Sequence, residues 1–293
     1  MFLWPWTKKT HQPPQSGKPY IIWAPPYFHR SAGIRVLHKL AYLLNKAGQR
    51  TFIYINKTNP KWRVPRISKR KAQKLIKLGA IVVYPEIVAG NPLGAKTVAR
   101  YILNNPGLLG GEKTYDQAEI LFCYGKHLLQ PGMTEDRILT IPAIRTDIFY
   151  RDDKVKRDID YLVYFGKHPA VPGYPKKNII TMTKPSNPVK LGQMLRRCKK
   201  LISYDNLTAL TTEATLCGCP VVMIPDGFRK RSDLENAEFG FNGIAWGESP
   251  EEWSEALASL DQAPKILEQV TQQTEKCLQS FIAITQNEAK KCL

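Results

Sequence analysis

The sequence predicts an α/β protein made of two parallel-sheet halves facing a cleft. Short apolar runs rich in Val, Ile and Tyr alternate with helix-length segments, the pattern of parallel strands joined by crossovers. The alternation breaks at a charged stretch, residues 151–158, and restarts with a fresh strand over 160–167. A chain of 293 residues with 43% hydrophobic content exceeds one typical domain and suffices for two modest cores. Residues 1–150 and 151–293 are therefore read as two domains.

In the first half, residues 19–24 read as a strand, followed by a loop over 25–32 and an amphipathic helix from about 33 to 46 that Gly48 closes. Residues 51–55 and 81–84 supply further strands, with a cation-rich helix over 68–78 between them. Residues 95–103 read as a helix ending near Asn104-Asn105-Pro106-Gly107, and 120–124 and 138–141 as two more strands. The second half continues from its first strand through an extended run over 179–183, a helix over 188–198 and a strand over 200–203. A helix ended by Gly218 follows, and Pro220 leads into Val-Val-Met-Ile, a continuous apolar run suited to a parallel strand covered on both faces. Glu251-Glu252-Trp253 starts a helix with an acidic first turn, and Pro264 opens a last one reaching toward Lys290.

The densest chemistry lies between residues 203 and 225. Asp205 stands eight residues before Glu213, so an acid in a loop and an acid in the next helix can face one pocket. Ser203, Asp205 and Asn206 are positioned to cap that helix, whose positively polarised N-terminus attracts phosphate.

This segment resembles the donor-binding motif of GT-B glycosyltransferases of the retaining, E-x7-E type, in which an acid, seven residues and a Glu precede A-x-x-x-G-x-P-V-[IV]. The pattern stands here as Asp205, seven residues, Glu213-Ala214, then Gly218-Cys219-Pro220-Val221-Val222. The resemblance implies two Rossmann-like domains with C-terminal helices crossing back, a nucleotide sugar as co-substrate, and no metal or other cofactor. It assigns the ribose hydroxyls to Glu213 and the transferred sugar to Asp205, with Asn206, Leu207 and Thr208 beside the donor. Asp205 departs from the family's Glu by one methylene, which changes its reach. Lys167, after Phe165-Gly166, takes the pyrophosphate, and Lys184 is the favoured second cation over Lys176 and Lys177. Gly33, in Ser31-Ala32-Gly33-Ile34-Arg35, provides close backbone approach, with His29 and Arg35 on the acceptor side; His168 is a further loop histidine. Glu86 follows a predicted strand, where open α/β sheets bind ligands, and is read as an acceptor contact or base. On this reading Glu213→Ala chiefly weakens donor binding, by roughly 1.5–3 kcal/mol for a lost charge-assisted hydrogen bond.

Charge is segregated. No Asp or Glu precedes Glu86; residues 1–150 hold 23 Lys and Arg against 7 acids, and the remainder 20 against 18, within a net charge of +18. Such a field recruits a polyanion: nucleic acid, an acidic membrane face or a phosphorylated glycolipid. No RNP pattern, zinc finger or basic zipper is present to read nucleic acid. The 68–78 helix can place Ala72, Leu75, Ile76 and Gly79 on one side and cations on the other, a form suited to an anionic bilayer, with Phe2, Trp4 and Trp6 as an interfacial foot. The expected acceptor is thus a glycolipid or surface-polysaccharide precursor, handled by a cytoplasmic protein held peripherally at the inner membrane face.

Other classes are weighed on specific residues. No apolar run approaches 18 residues, and Pro5 and Lys8 interrupt the N-terminus too early for a secretory leader. Six cysteines without C-x-x-C spacing read as reduced thiols. Asp158-Ile159-Asp160 has the D-x-D form of metal-dependent GT-A transferases, but precedes a strand instead of following one. A basic polyanion-binding module without catalytic activity is the rival outside enzymes, marked by affinity that follows salt alone.

Overall fold

The computed structural model describes residues 17–54, 58–59, 61–166, 175–225, 227, 230–235, 237 and 239–291. Phe2, Trp4, Trp6, Lys167, His168 and Cys292 lie outside the described residues.

Two five-stranded sheets form, parallel throughout. The first contains β1 (Tyr20–Trp23), β2 (Thr51–Tyr54), β3 (Ile81–Pro85), β4 (Thr97–Ile102) and β5 (Ile120–Cys123) in the order β2-β1-β3-β4-β5. The second contains β6 (Leu162–Tyr164), β7 (Ile179–Ile180), β8 (Leu201–Ser203), β9 (Val221–Met223) and β10 (Ile244–Trp246) in the order β10-β9-β8-β6-β7. Both sheets share one topology, in which the chain reverses its direction of winding between the first and third strands. Such a reversal opens a crevice at the carboxyl ends of those strands, where α/β sheets bind ligands.

Helices cover the sheets because their apolar stripes match the 3.6-residue period. In α1 (Ala32–Lys46), Val36, Leu37, Leu40, Ala41 and Leu44 are buried against β1 and β3 residues. α3 (Pro188–Arg197) and α4 (Ala209–Leu216) pack in the second core with Leu191, Leu195, Leu210 and Ala214. After the short α5 (Arg231–Glu235) and α6 (Pro250–Ser259), α7 (Ala263–Lys291) crosses back to the first half, as expected. Its first turns pack Ala263 and Leu267 on Leu216; farther along, Phe281 meets Phe122 at 4.7 Å and Thr285 Oγ1 hydrogen-bonds the Tyr20 hydroxyl at 2.7 Å. One 29-residue helix therefore ties the two cores.

Two expected elements differ. Residues 97–102 are strand β4, not part of a helix, and Arg100 explains why. Its fully buried guanidinium donates to the Glu119 carboxylate at 2.7 and 2.8 Å, to the Val88 carbonyl at 2.6 Å and to the Gly90 carbonyl at 3.0 Å. Those bonds satisfy the β3–β4 connection, so this crossover is made without a helix and a buried charge sits in mid-strand. Residues 138–141 form no strand; one bridge, Cys123 to Ile138, extends the edge of β5.

α2 (Lys69–Lys77) buries Ala72 and Ile76 with Val82 and Tyr84, while Lys69, Arg70, Lys71, Lys74 and Lys77 stay exposed. The apolar stripe expected to meet a bilayer is consumed by the sheet, because the β2–β3 crossover needs a cover for that face. No helix among the described residues is long and apolar enough to cross a membrane.

Candidate functional site

The carboxyl ends of the two sheets border a shared cleft of about 290 Å³. From the first half, Arg30, Gly33, Arg35 and Glu86 line it; from the second, Tyr164, Asp205, Asn206, Leu207 and Thr208 do. These residues follow β1 and β3, or end or follow β6 and β8, the strands at the two reversal points.

The loop after β8 is built by its own polar side chains. Ser203 Oγ donates to the Asp205 carbonyl at 3.0 Å, Asp205 Oδ1 accepts from the Leu207 amide at 3.1 Å, and Asn206 Nδ2 donates to the Ile224 carbonyl at 2.8 Å. With those groups engaged, the cap of α4 passes from the predicted Ser203, Asp205 and Asn206 to Thr208, whose Oγ1 accepts from the Leu210 amide at 3.3 Å. Thr208→Ala is expected to lower stability by about 1 kcal/mol, the usual worth of such a cap, as read from denaturant unfolding. Gly166, just after β6, closes the other side of Asp205. Its φ is +64°, and a Cβ there would fall 2.2 Å from Asp205 Oδ2.

α1 and α4 come from opposite halves, and their first turns both line the cleft without an acid. Their unpaired amides make the cleft electropositive. Ser31 caps α1, its Oγ accepting from the Ile34 amide at 3.5 Å. Arg30 bridges the halves by donating to the Thr181 carbonyl at 2.7 Å, and burial lowers its pKa. Burial and the Arg30 charge likewise lower the pKa of His29, which favours a neutral imidazole. Burial, then the neighbouring Asp205 charge, pushes the Tyr164 hydroxyl up to about 12, keeping it a proton donor.

Glu213 stands differently from expectation. Its Oε1 accepts from Arg35 Nη1 at 2.6 Å, with the two side chains 7% and 4% exposed. Thr211 and Thr212 turn toward the cleft, and the next position on α4 points at α1 instead. Asp205 therefore lines the cleft directly, and Glu213 meets its wall through Arg35. Arg35, expected on the acceptor side, is a second cation that joins the halves, beside Arg30.

The remaining residues divide. Glu86 is buried at the end of β3 and its Oε2 accepts from the Leu103 amide at 2.9 Å, so it both braces that loop and lines the cleft. Gly33 sits in the first turn of α1, where an added Cβ would meet Leu103 no closer than 3.6 Å; packing within the protein does not demand glycine there. Lys184 is exposed, outside the cleft lining, in the loop whose Thr181 Oγ1 accepts from its amide at 3.0 Å. Asp158 is chelated by Arg197 at 2.7 Å through both oxygens and Asp160 pairs with Lys199 at 2.7 Å, on the surface before β6. That D-x-D pair is thus committed to cations away from the carboxyl edge. Arg30, Tyr164, Thr211 and Thr212 line the cleft without having been singled out. Tyr164 was within reach, inside the strand expected over 160–167, whose observed carboxyl end it forms.

No protein-family model matches the chain, and no curated protein matches it. Similar solved structures include the glycosyltransferase SnogD from Streptomyces nogalater, at 13% identity over 92% of this chain and 100% of that one, with a TM-score of 0.47. An alpha-glucosyltransferase solved with UDP and a 13-mer DNA containing an HMU base is similar at 12% identity over 91% and 95% of the two chains, with a TM-score of 0.46. The spinosyn rhamnosyltransferase SpnG, complexed with spinosyn aglycone, is similar at 11% identity over 93% and 96%, with a TM-score of 0.38.

Proposed function

We propose that this chain is a metal-independent glycosyltransferase that moves a sugar from a nucleotide-sugar donor to a glycolipid or surface-polysaccharide precursor at a membrane face. The observation that carries the reading is the convergence of two acid-free helix N-termini and Asp205 on one cleft at the reversal points of two like sheets. In the reaction an acceptor hydroxyl forms a bond to the anomeric carbon while the bond from that carbon to the diphosphate oxygen breaks. The nucleoside diphosphate leaves with the electron pair. The α1 and α4 amides and Arg30, oriented before that charge appears, stabilise it, and Lys167 is the further cation that the resemblance assigns to the diphosphate. Glu213, held by Arg35, takes the ribose hydroxyls; Asp205, Asn206, Leu207 and Thr208 hold the sugar; Glu86 stands on the acceptor side to receive the hydroxyl proton.

The test is a thermal-shift panel of UDP, GDP, ADP, CMP and dTDP with their sugars. One nucleotide series is expected to raise the melting temperature, since a ligand at 100 times its Kd stabilises the native state by about 2.7 kcal/mol. No response to any of them contradicts the reading. It would favour the polyanion-binding alternative, which the acid-free first 85 residues support.

A further inference from the structure

We propose that residues 61–68 and the first turn of α2 form a docking surface for an anionic bilayer, which holds the mouth of the cleft toward the membrane by charge and without insertion. The inference deepens the transferase reading above and rests on it for the membrane acceptor.

Position comes from topology. β2 runs parallel to β1, so the chain leaving Tyr54 emerges at the carboxyl edge of the first sheet, the edge that borders the cleft. The returning segment pairs alongside β2 through Ile53 and Arg66, and Ser68 then caps α2 at that same edge. Trp62 ties the loop to the cleft side, since it packs edge-on against Tyr27 at 6.0 Å, in the loop that follows β1.

Charge on this rim is unusual in two ways. Lys61, Arg63, Arg66, Lys69, Arg70 and Lys71 are all exposed there, and no acid precedes Glu86. Among the described residues, Arg63, Lys69, Arg70 and Lys71 make no ion pair, and Lys61 reaches Asp147 only at 4.0 Å. Lys69, Arg70 and Lys71 also occupy the first turn of α2, where the helix's positive pole disfavours cations. Arg63 holds a φ of +48°, a conformation that L residues other than Asn and Asp rarely adopt. The placement of these cations at the helix's positive pole is thus locally unfavourable, and an external anion offsets that electrostatic cost.

One observation chooses a bilayer over a single nucleic-acid strand. A single strand needs free aromatic faces for base stacking. Here Trp62 is stacked on Tyr42 at 6.1 Å and packed edge-on against Tyr27. A bilayer surface needs only clustered cations, each worth about a fivefold gain in partitioning. Because Ala72 and Ile76 are sunk in the core, α2 offers no apolar face to insert.

The experiment compares the full chain with the variant Lys69→Glu, Arg70→Glu, Lys71→Glu in co-sedimentation with phosphatidylcholine vesicles, with and without phosphatidylglycerol, at low and high salt. The wild type should bind anionic vesicles more tightly than neutral ones and release in high salt. The variant should lose about a hundredfold in that partitioning, with an unchanged or higher melting temperature, since acids suit a helix N-terminus. It should also keep its nucleotide response. Variant binding equal to wild type overturns the proposal, as does release of the protein from vesicles by a competing oligonucleotide. A missing nucleotide response in the wild type would instead count against the transferase reading and leave the vesicle comparison standing.

Discussion

Glu213→Ala is expected to lower the unfolding free energy by about 3–5 kcal/mol in addition to weakening nucleotide binding. Removing one partner of a buried ion pair strands the other charge in a low-dielectric setting, and Arg35 is 4% exposed at this contact. Arg35→Ala should destabilise by a similar amount, although the two residues lie 178 positions apart and in different halves. The pair Arg35→Met, Glu213→Leu removes both charges together. Buried ion pairs replaced by apolar side chains are often neutral in stability, so denaturant unfolding of the double variant should return most of the loss. Nucleotide binding should not return, because the carboxylate proposed to meet the ribose is gone. A double variant that regains both would separate Glu213 from the donor. This expectation replaces the simpler one, from sequence, of a binding defect alone.

Gly166→Ala should be the most damaging single-methyl change in the cleft. At φ +64° an Ala pays about 1–2 kcal/mol in backbone strain, and its Cβ would sit 2.2 Å from Asp205 Oδ2 and 2.4 Å from Asp205 Cβ. The chain relieves that overlap by displacing Asp205 or the β6 terminus. A displacement of about 1 Å at a reacting centre costs on the order of a hundredfold in rate. The expected outcome is a kcat lowered about a hundredfold with a smaller change in donor affinity, measured by steady-state transfer once the donor is known. Gly33→Ala is the control: its Cβ has room, so stability should change little.

The parallel strands were legible where burial on both faces leaves a continuous apolar run, as in β1, β3 and β9. β4 was not, because Arg100 and Thr97 break the apolar pattern and the partner that makes a buried guanidinium tolerable, Glu119, stands 19 residues on, just before β5. The loop after β8 was legible through Asp205 and Asn206, two residues that favour tight polar turns. The partner of Glu213 was not, since it depends on how α4 is rotated about its axis and on which face of α1 approaches it. The stripe of α2 shows the same limit. Ala72, Leu75 and Ile76 mark an apolar face, and periodicity alone does not say whether a sheet or a bilayer covers it.

The most direct measurement is a crystal structure of the protein soaked with the nucleotide sugar that stabilises it. The account predicts ribose hydroxyls within hydrogen-bonding distance of Glu213 while Arg35 keeps its contact, the diphosphate at the first turns of α1 and α4, and the sugar beside Asp205. A donor bound elsewhere, or bound in this cleft with both carboxylates turned away from it, would contradict the account.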